Sequence, residues 1–364
     1  MNSSERVKLK PGDTIGILGG GQLGRMLALS AARLGLKCHV FSPDPDSPAF
    51  DVVQRATCAE YADVAALEVF AADVDVITYE FENVPSATAL VLAARRPVLP
   101  DPEILKTTQD RLIEKDFVKG LGIATADYAD VGSVADLRNA IAKLGLPAVL
   151  KTRRFGYDGK GQAVIRSTDN LDAAWKELAT KAAILESFVP FEREISVVAA
   201  RGADGHIVCF DVTENEHRDH ILKTSTVPAR IAPALAAEAR SIAETIANAF
   251  DYVGVLAVEM FVAPQGRPHR ILVNEIAPRV HNSGHWTLDG ATVSQFEQHI
   301  RAIAGWPLAE VRRHGAVTMT NLIGDEVESF PDWLSKPGAT VHLYGKDAPR
   351  PGRKMGHVTV VTPE

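Results

Sequence analysis

The chain contains few cysteines and few aromatic residues, and it has no long apolar run. Its 364 residues include three cysteines and 6% aromatic residues. Cys38, Cys58 and Cys209 lie far apart without a CxxC spacing, so neither a zinc site nor a disulfide framework is indicated. No apolar stretch approaches the roughly 18 residues that a membrane helix needs. The first residues, MNSSERVKLKPGD, lack the apolar core of a signal peptide, so we expect a cytoplasmic protein.

An excess of basic charge is also missing. The 39 lysines and arginines are outnumbered by 46 aspartates and glutamates, which gives a net charge of -7. Because nucleic-acid-binding proteins carry a basic electrostatic footprint, we expect no nucleic-acid partner. Hydrophobic residues make up 46% of the chain, which is enough to form a large core. At about 150 residues per domain, the length predicts two to three domains.

Short apolar runs alternate with helical patterns in the first third of the chain. TIGIL (14–18), HVF (39–41) and VDVIT (74–78) predict buried strands. Apolar residues recur at helical spacing between 23 and 34, and VPSATALVLAA (84–94) predicts a second helix. Strands that alternate with helices over short connections indicate a parallel sheet covered by helices.

A glycine-rich turn follows the first predicted strand. In GILGGGQLGR (16–25), Gly19, Gly21 and Gly24 have the GxGxxG spacing between a strand and a helix. Asp44 follows at the distance of a ribose-binding acid, so these residues alone suggest an NAD-dependent oxidoreductase. The same turn could hold another phosphate ligand, or it could be a tight turn without any ligand.

A second group of phosphate-binding residues lies further along the chain. Lys151 ends a predicted strand, and the loop FGYDGKGQ (155–162) carries Lys160 among three glycines. Flexible backbone donors together with lysines suit a triphosphate. Glu186 ends the next apolar run, AILE, and precedes an apolar hinge. An acid and a hinge of this kind can receive an adenine amino group and a ribose.

Two acidic side chains follow on neighbouring predicted strands. Glu259 lies in GVLAVEMFV (254–262) and Glu275 in RILVNEIA (270–277). Two carboxylates aimed at one point from adjacent strands suit magnesium bound to phosphate oxygens. Without a partner, a carboxylate in the apolar setting of Glu259 would cost several kcal/mol, which favours a cation beside it. Asn274 faces the other side of an ideal strand and is the weaker ligand candidate.

The middle of the chain predicts an antiparallel region. AILESFV (183–189), EISVVAA (194–200) and HIVCFDV (206–212) predict consecutive strands whose short links leave no room for crossover helices. A further strand is predicted over PAVLKT (147–152). Helices are predicted over residues 109–122, 233–250 and 291–304, and short strands follow from Val317 onward.

Six strings, in order and spanning nearly the whole chain, resemble the ATP-grasp superfamily. Within it, they resemble the 5-(carboxyamino)imidazole ribonucleotide synthase family of purine biosynthesis. The strings are GGGQLGRML (19–27), YEFENV (79–84), QDRL (109–112), GYDGKGQ (156–162), NEIAPRVHNSGHWT (274–287) and RPGRKMGHV (350–358).

This resemblance implies an architecture that combines α/β and α+β domains. It implies a Rossmann-like pre-ATP-grasp domain over residues 1–108 that holds no dinucleotide. An ATP-grasp domain of two α+β subdomains would follow over residues 109–308, and a small β-rich C-terminal domain would cover residues 309–364. The family also implies a cytoplasmic homodimer.

The resemblance assigns ligand roles by matching position. The ATP site would comprise Arg111, Lys151, Gly156, Tyr157, Asp158, Gly159, Lys160, Gly161, Gln162, Glu186, Ser187, Phe188, Val189, Glu194, His217, Asn274 and Glu275. Magnesium would be held by Glu259 and Glu275. The ribonucleotide site would comprise Gly21, Gln22, Leu23, Glu80, Tyr157, Arg279, Asn282, Arg353 and Lys354. The catalytic residues would be Asp158, Arg279, His281 and Lys354, with Asp158 and His281 both candidates for handling the amine proton.

The implied reaction joins bicarbonate to the exocyclic amine of 5-aminoimidazole ribonucleotide. ATP and magnesium would convert bicarbonate, a poor electrophile, into carboxyphosphate, which has a good leaving group. The amine would attack carboxyphosphate, or carbon dioxide released from it. The products would be 5-(carboxyamino)imidazole ribonucleotide, ADP and phosphate.

Three alternatives make different demands on these residues. Another ATP-grasp ligase, of the ribonucleotide transformylase or biotin carboxylase type, would share the ATP site, but HNSGHW (281–286) and RPGRKMGH (350–357) favour the synthase. An NAD-dependent oxidoreductase would use the glycine turn and leave the second phosphate site unexplained. A binding protein without chemistry would not be expected to keep both Glu259 and Glu275.

Overall fold

Three β-sheets organise the chain, which a computed structural model describes over residues 7–156 and 159–363. The first sheet has four strands, the second has nine, and the third has four. Four clusters of buried apolar side chains fill the spaces between these sheets and their helices. Among the described residues, no helix combines the length and the apolarity that crossing a membrane requires.

The first sheet is parallel, as the alternating pattern predicts. Its strand order is β3-β2-β1-β4, and helices connect the strands. The run TIGIL (14–18) forms β1 at the predicted residues. The short polar strand β3 was not predicted, because RATC contains no apolar run. The elements of this region are β1 (Thr14–Leu18), α1 (Gln22–Arg33), β2 (Lys37–Ser42), β3 (Arg55–Cys58), α2 (Val64–Ala72), β4 (Val76–Tyr79), α3 (Ser86–Ala93) and α4 (Pro102–Thr108).

An antiparallel sheet of four strands follows in the chain. Its order is β5-β8-β6-β7. The side chain of Asp110 caps the helix before it by accepting the backbone N–H of Leu112 at 3.1 Å, which places Arg111 in the first turn. The elements are α5 (Arg111–Gly120), β5 (Tyr128–Val131), α6 (Val134–Leu144), β6 (Ala148–Thr152), β7 (Gln162–Ile165), α7 (Leu171–Leu178) and β8 (Ala183–Ser187).

The largest sheet contains all the remaining strands. Its path is β14-β13-β9-β11-β12-β15-β17-β16, and β10 pairs with β9. Every ladder along it is antiparallel. The elements are β9 (Arg193–Arg201), β10 (Ile207–Cys209), β11 (Thr213–Arg218), β12 (Ile221–Val227), α8 (Pro233–Ala249), β13 (Gly254–Val262), β14 (Ile271–Ala277), α9 (Thr287–Gly290), α10 (Gln295–Ile303), β15 (Ala316–Ile323), α11 (Phe330–Leu334), β16 (Ala339–Leu343) and β17 (Lys354–Thr362).

Two features of the sheets differ from the sequence pattern. The runs AILESFV and EISVVAA were predicted as consecutive strands of one region, but β8 and β9 belong to different sheets. Pro190 separates them and has no N–H to donate to a ladder. The C-terminal strands also do not form a sheet of their own. β15 pairs with β12 over four residues, which extends the central sheet into the C-terminal segment.

A buried histidine joins the first sheet to the largest one. His299, on α10, is fully buried. Its Nδ1 accepts the backbone N–H of Val255 at 3.1 Å, so in the neutral ring Nε2 carries the proton. Nε2 lies 2.8 Å from the hydroxyl of Thr78 on β4. Burial lowers the pKa of His299 to about 3, so this contact uses a neutral imidazole.

The burial of neutral His299 makes stability depend on pH. The unfolded chain binds a proton near pH 6.5, whereas the folded chain binds it only near pH 3. The contribution of neutral His299 to the free energy of unfolding is therefore complete above pH 6.5 and is lost as the pH falls towards 3. At pH 5 the free energy of unfolding should be about 2 kcal/mol lower than at pH 8 because of this residue alone. Thermal unfolding of the wild type and of His299→Gln between pH 8 and 5 measures the difference.

The exposed His206 supplies a matched control for that measurement. We expect the melting temperature of His299→Gln to depend less on pH than that of the wild type, whereas His206→Gln should follow the wild type. Equal pH dependence of all three proteins would contradict a buried neutral His299.

Candidate active site

One network of ion pairs connects the three sheets. Arg279, which follows β14, pairs with Glu82, which follows β4, and its Nε and Nη2 each donate to one oxygen of the carboxylate. Arg111 on α5 donates to Glu275 on β14 at 3.0 Å. These pairs join segments that are more than 150 residues apart in the chain. Charged side chains that follow or belong to the first and the largest sheet thus lie close to those of α5, and we call the region between them the cleft.

Two lysines hold the carboxylate of Glu186 at one end of this cleft. Lys151 on β6 lies 3.0 Å from Glu186 Oε2, and Lys115 on α5 lies 3.6 Å from the same oxygen. Burial alone would raise the pKa of Glu186, but Lys115 and Lys151 outweigh it and lower the pKa to about 2. The carboxylate is therefore ionised, and its other oxygen is buried without a hydrogen-bond partner among the described residues.

The glycine-rich loop lies beside these lysines. Gly159 and Gly161 have φ angles of +77° and +71°, a region that favours glycine. A Cβ on Gly159 would lie 2.4 Å from the Cβ of His220, so a larger residue would not fit. Arg111 donates to the carbonyl of Gly156 at 3.2 Å, which ties the loop to the ion-pair network. Lys160 is exposed.

Several predicted nucleotide residues lie along the strands that border this loop. Gln162 begins β7 directly opposite Lys151. His217 on β11 contacts the carboxylate of Glu194 on β9. Ser187, Phe188 and Val189 continue from Glu186, and Phe188 is 41% exposed. The predicted residues Tyr157 and Asp158 lie outside the described residues.

The two acidic candidates lie directly opposite each other. Glu259 on β13 and Glu275 on β14 are partners in the antiparallel register, so both side chains occupy one face of the sheet. Glu259 Oε1 lies 2.9 Å from His281 Nε2. Burial would raise the pKa of Glu259, but His281 outweighs it and lowers the pKa to about 2. The expected juxtaposition of two carboxylates from neighbouring strands is thus present.

The donor set beside these acids fits magnesium only together with a ligand. Magnesium commonly takes one or two protein carboxylates, and substrate phosphates and water complete its octahedron. Within the described parts of the chain, no group of three His, Cys, Asp or Glu side chains could hold a metal alone. Asn274 Oδ1 is buried and has no partner there. Two carboxylates next to a phosphate site therefore fit the ion, and a protein cage does not.

The glycine turn after β1 is occupied by a side chain of the protein itself. The backbone N–H of Gly24 donates to Glu80 at 2.6 Å, and that of Gly21 donates to the other oxygen of the same carboxylate. Leu23 is 9% exposed and packs in the core, so only its backbone could reach a ligand, whereas Gln22 is half-buried. A dinucleotide pyrophosphate would need the N–H groups that Glu80 already accepts, which argues against the oxidoreductase alternative.

Basic residues of the C-terminal segment lie on the same side as Glu80. Lys346 donates to the carbonyl of Lys354 at 2.7 Å. Burial, together with the charge of Arg353, lowers the pKa of Lys346 to about 8. The charge of Glu80 acts to raise the pKa of Lys346, so the two groups lie near each other. Asn282 presents two buried amide atoms without a hydrogen-bond partner among the described residues, so it is available to a ligand.

Sequence reasoning missed three residues of this cleft. Lys115 lies one helical turn after Arg111, so helical spacing could have placed it on the same face. Glu82 lies two residues after Glu80 within YEFENV, and it was not singled out. No local pattern indicated Lys346, because its neighbours in the cleft come from the first sheet and from the start of β17.

Three family models match consecutive parts of the chain. The ribonucleotide synthetase preATP-grasp domain matches residues 13–109, and the ATP-grasp domain matches residues 116–296. The phosphoribosylaminoimidazole carboxylase C-terminal domain matches residues 317–364. Together with the charged cleft between the sheets, these matches define an ATP-grasp protein.

Full-length comparisons narrow this class. An N5-carboxyaminoimidazole ribonucleotide synthase from Brucella melitensis is 51% identical over 361 residues, which cover 99% of each chain. The structure of N5-carboxyaminoimidazole synthetase from Staphylococcus aureus complexed with ADP has a TM-score of 0.93 and 37% identity, and it covers 99% of this chain and 96% of that one. The chain belongs to the N5-carboxyaminoimidazole ribonucleotide synthase family.

A third relative carries two ligands. The N5-carboxyaminoimidazole synthase structure from Aspergillus clavatus is described as a complex with ADP and 5-aminoimidazole ribonucleotide. It has a TM-score of 0.89 and 32% identity, and it covers 97% of this chain and 94% of that one. The predicted combination of α/β and α+β domains is confirmed by these family matches and structures.

The ion pair between Glu82 and Arg279 provides a test of how the cleft is held together. Arg279 outweighs the effect of burial and lowers the pKa of Glu82 to about 2. Glu82→Gln should destabilise the protein by about 2–3 kcal/mol, less than a fully buried pair, because 29% of the Glu82 side chain is exposed. The melting temperature measures this change.

Glu310 offers a control for the loss of one carboxylate. Its contact with Arg312 spans 3.9 Å, and both side chains are more than 70% exposed. Glu310→Gln should leave the melting temperature nearly unchanged. Equal effects of Glu82→Gln and Glu310→Gln would contradict a structural role for the Arg279 pair.

Proposed function

We propose that the chain is an ATP-dependent carbon–nitrogen ligase that carboxylates the exocyclic amine of 5-aminoimidazole ribonucleotide. Bicarbonate supplies the carbon, and the products are 5-(carboxyamino)imidazole ribonucleotide, ADP and phosphate, for purine biosynthesis. The observation that carries this proposal is the 51% identity with a named synthase over 99% of both chains. The paired carboxylates and lysines of the cleft supply groups that phosphoryl transfer needs.

The nucleotide half of the cleft is proposed to bind ATP. Lys151 and the N–H groups of residues 159–162 would neutralise and orient the phosphates, as flexible donors and lysines do. Glu186, with one buried oxygen free of partners in the described structure, could accept the adenine amino group. Phosphoryl transfer depends on positioning and charge neutralisation, so no covalent intermediate on a side chain is required.

Glu259 and Glu275 are proposed to hold magnesium. When bound there, the ion would neutralise charge on the transferring phosphoryl group. In the structure, His281 contacts Glu259 and Arg111 contacts Glu275. Both are cations or donors that could contact phosphate oxygens once the carboxylates have another partner.

The ribonucleotide half is proposed to lie between the first sheet and the C-terminal strands. Arg353 and Lys354 would take the phosphate, and Gly21, Gln22 and Glu80 would face the ribose. Arg279 could hold bicarbonate or carboxyphosphate by a bidentate contact, because a planar carboxylate matches two parallel N–H groups of the guanidinium. Asp158 and His281 are the candidates for handling the amine proton.

The domain division at residues 108 and 308, a homodimer and a cytoplasmic location belong to the same proposal. The family models divide the chain at similar places, with matches that end at residues 109 and 296. The net charge of -7 disfavours a nucleic acid as a partner.

ADP release from ATP tests this function directly. We expect little release from ATP alone and strong release when bicarbonate and 5-aminoimidazole ribonucleotide are both present with magnesium. An acid-labile carboxylated ribonucleotide should accumulate with the ADP. Omitting magnesium, or replacing Glu259 by Gln, should abolish the stimulation, because the phosphoryl charge would not be neutralised.

Formate in place of bicarbonate provides the control for a related ligase. Stimulation by formate, or by another acceptor but not by this ribonucleotide, would contradict the proposed substrates and keep the ATP-grasp chemistry. Glu310→Gln, which removes an exposed carboxylate far from the acid pair in the chain, should retain wild-type release.

A further inference from the structure

A chain of buried polar side chains leads across the largest sheet to His281. Ser225 on β12 donates to Asn215 Oδ1 on β11 at 2.8 Å, and Asn215 Nδ2 donates to Ser196 Oγ on β9 at 3.0 Å. Ser196 Oγ donates to Ser283 Oγ at 2.7 Å. Ser283 Oγ then lies 2.9 Å from His281 Nδ1. Four hydrogen bonds therefore connect β12 with the predicted catalytic histidine.

This chain is buried throughout the sheet. Ser196, Ser225 and Ser283 are fully buried, and Asn215 is 8% exposed. Asn215 lies directly opposite Ser225 in the register of β11 and β12. Ser196 lies directly opposite Glu259 across β9 and β13. The hydrogen-bonded side chains and the acid pair, Glu259 and Glu275, therefore share one face of the sheet. In such surroundings a hydroxyl or amide without a partner would be costly, which explains why each group has one.

The chemistry of the donors fixes the direction of the chain. An amide nitrogen can only donate, so Ser196 receives the proton of Asn215 and must direct its own proton elsewhere. It donates to Ser283, and the Ser283 hydroxyl can in turn donate to His281 Nδ1. The backbone N–H of Ser283, which can only donate, points at the same Nδ1 at 3.3 Å.

Both donors therefore make His281 Nδ1 an acceptor. In the neutral ring the proton must then reside on Nε2, which lies 2.9 Å from Glu259 Oε1. Rotating the ring by half a turn would place carbon atoms against both Ser283 donors and against the carboxylate. The chain thus selects both the tautomer and the orientation of the ring.

We propose that Ser196, Ser283 and Asn215 are positioning residues that hold His281 with Nδ1 as acceptor and Nε2 as the proton-bearing atom facing the acid pair. The expected fall in kcat rests on the proposed function. The tautomer of His281 does not, because it can be measured in the protein without substrates. None of the three residues needs to touch a substrate. Groups that orient metal-ligating histidines change affinity or activity by roughly 10- to 100-fold, and we expect an effect at the lower end of this range here.

Nitrogen-15 NMR of histidine-labelled protein reads the tautomer directly. The His281 signals are assigned by their loss in His281→Asn. We expect the free wild type to show an unprotonated Nδ1 and a protonated Nε2. Ser283→Ala and Ser196→Ala should shift the Nδ1 signal, because the hydroxyl donor to Nδ1 is lost or free to turn away and only the backbone N–H of Ser283 remains.

Kinetics of the same variants separate positioning from a merely structural role. Both serine variants should lower kcat roughly 10-fold and leave the KM for ATP unchanged. Thr359→Val is the matched control, because Thr359 is fully buried in the same sheet and its hydroxyl has no hydrogen-bond partner among the described residues. This control should change neither the His281 signals nor kcat.

The outcomes distinguish this proposal from the function itself. A wild-type His281 with its proton on Nδ1, or unchanged signals in both serine variants, would overturn the positioning role even in an active enzyme. If Thr359→Val lowered kcat and the melting temperature as much as the serine variants do, the loss of activity would be an effect on folding. That result would also overturn the positioning role. The expected tautomers in a protein without carboxylation activity would overturn the function and leave the positioning role intact.

Discussion

The pairing of buried charges is the constraint on which the cleft depends. Four carboxylates face it, and each has a basic partner from another element: Glu82 with Arg279, Glu186 with Lys115 and Lys151, Glu259 with His281, and Glu275 with Arg111. Removing one member of a buried pair leaves an uncompensated charge, which costs more than the pair itself contributes. The pair between Glu82 and Arg279 joins the first sheet to the largest one, and Arg111 and Lys115 join α5 to β14 and β8, so these contacts also fix how the elements meet.

The same pairing explains how one site can hold both the cations and the carboxylates that highly charged ligands require. A triphosphate requires cations, and magnesium requires carboxylates, yet both sets would repel themselves if assembled separately. In this cleft the two sets contact each other: lysine and arginine side chains pair with Glu82, Glu186 and Glu275, and His281 contacts Glu259. Arg111 and His281 contact the carboxylates that we propose as magnesium ligands, so ligand binding would exchange partners and leave few charges unpaired.

Local sequence patterns predicted the strands that carry the charged residues better than they predicted which side chains those residues contact. The apolar run around Glu259 forms β13 at the predicted residues, and the carboxylate in that run, for which a cation was expected, has His281 beside it. The strands β11 and β12 were missed, because TENEHR and ILKTSTV are largely polar. Their polar residues Asn215 and Ser225 lie in the interior, where only the tertiary hydrogen bonds explain them.

The glycine turn after β1 shows why other features of the site could not be predicted from the sequence. Its spacing and its context between β1 and α1 match a dinucleotide site, and nothing nearby in the sequence contradicts that interpretation. The contradiction comes from Glu80, more than 50 residues away, whose carboxylate fills the N-terminus of α1. Long-range contacts of this kind follow from sheet topology, which no local pattern contains.

The central claim is that the charges of this cleft transfer a phosphoryl group from ATP to bicarbonate. Oxygen-18-labelled bicarbonate in unlabelled water tests it, provided that the reaction is stopped before bicarbonate exchanges its oxygens with water. Transfer through carboxyphosphate predicts that the released phosphate carries one oxygen from bicarbonate, because the carbon–oxygen bond breaks when the amine is carboxylated. Phosphate that carries no label, released at the same rate as ADP, would mean that water attacks ATP and would contradict the account.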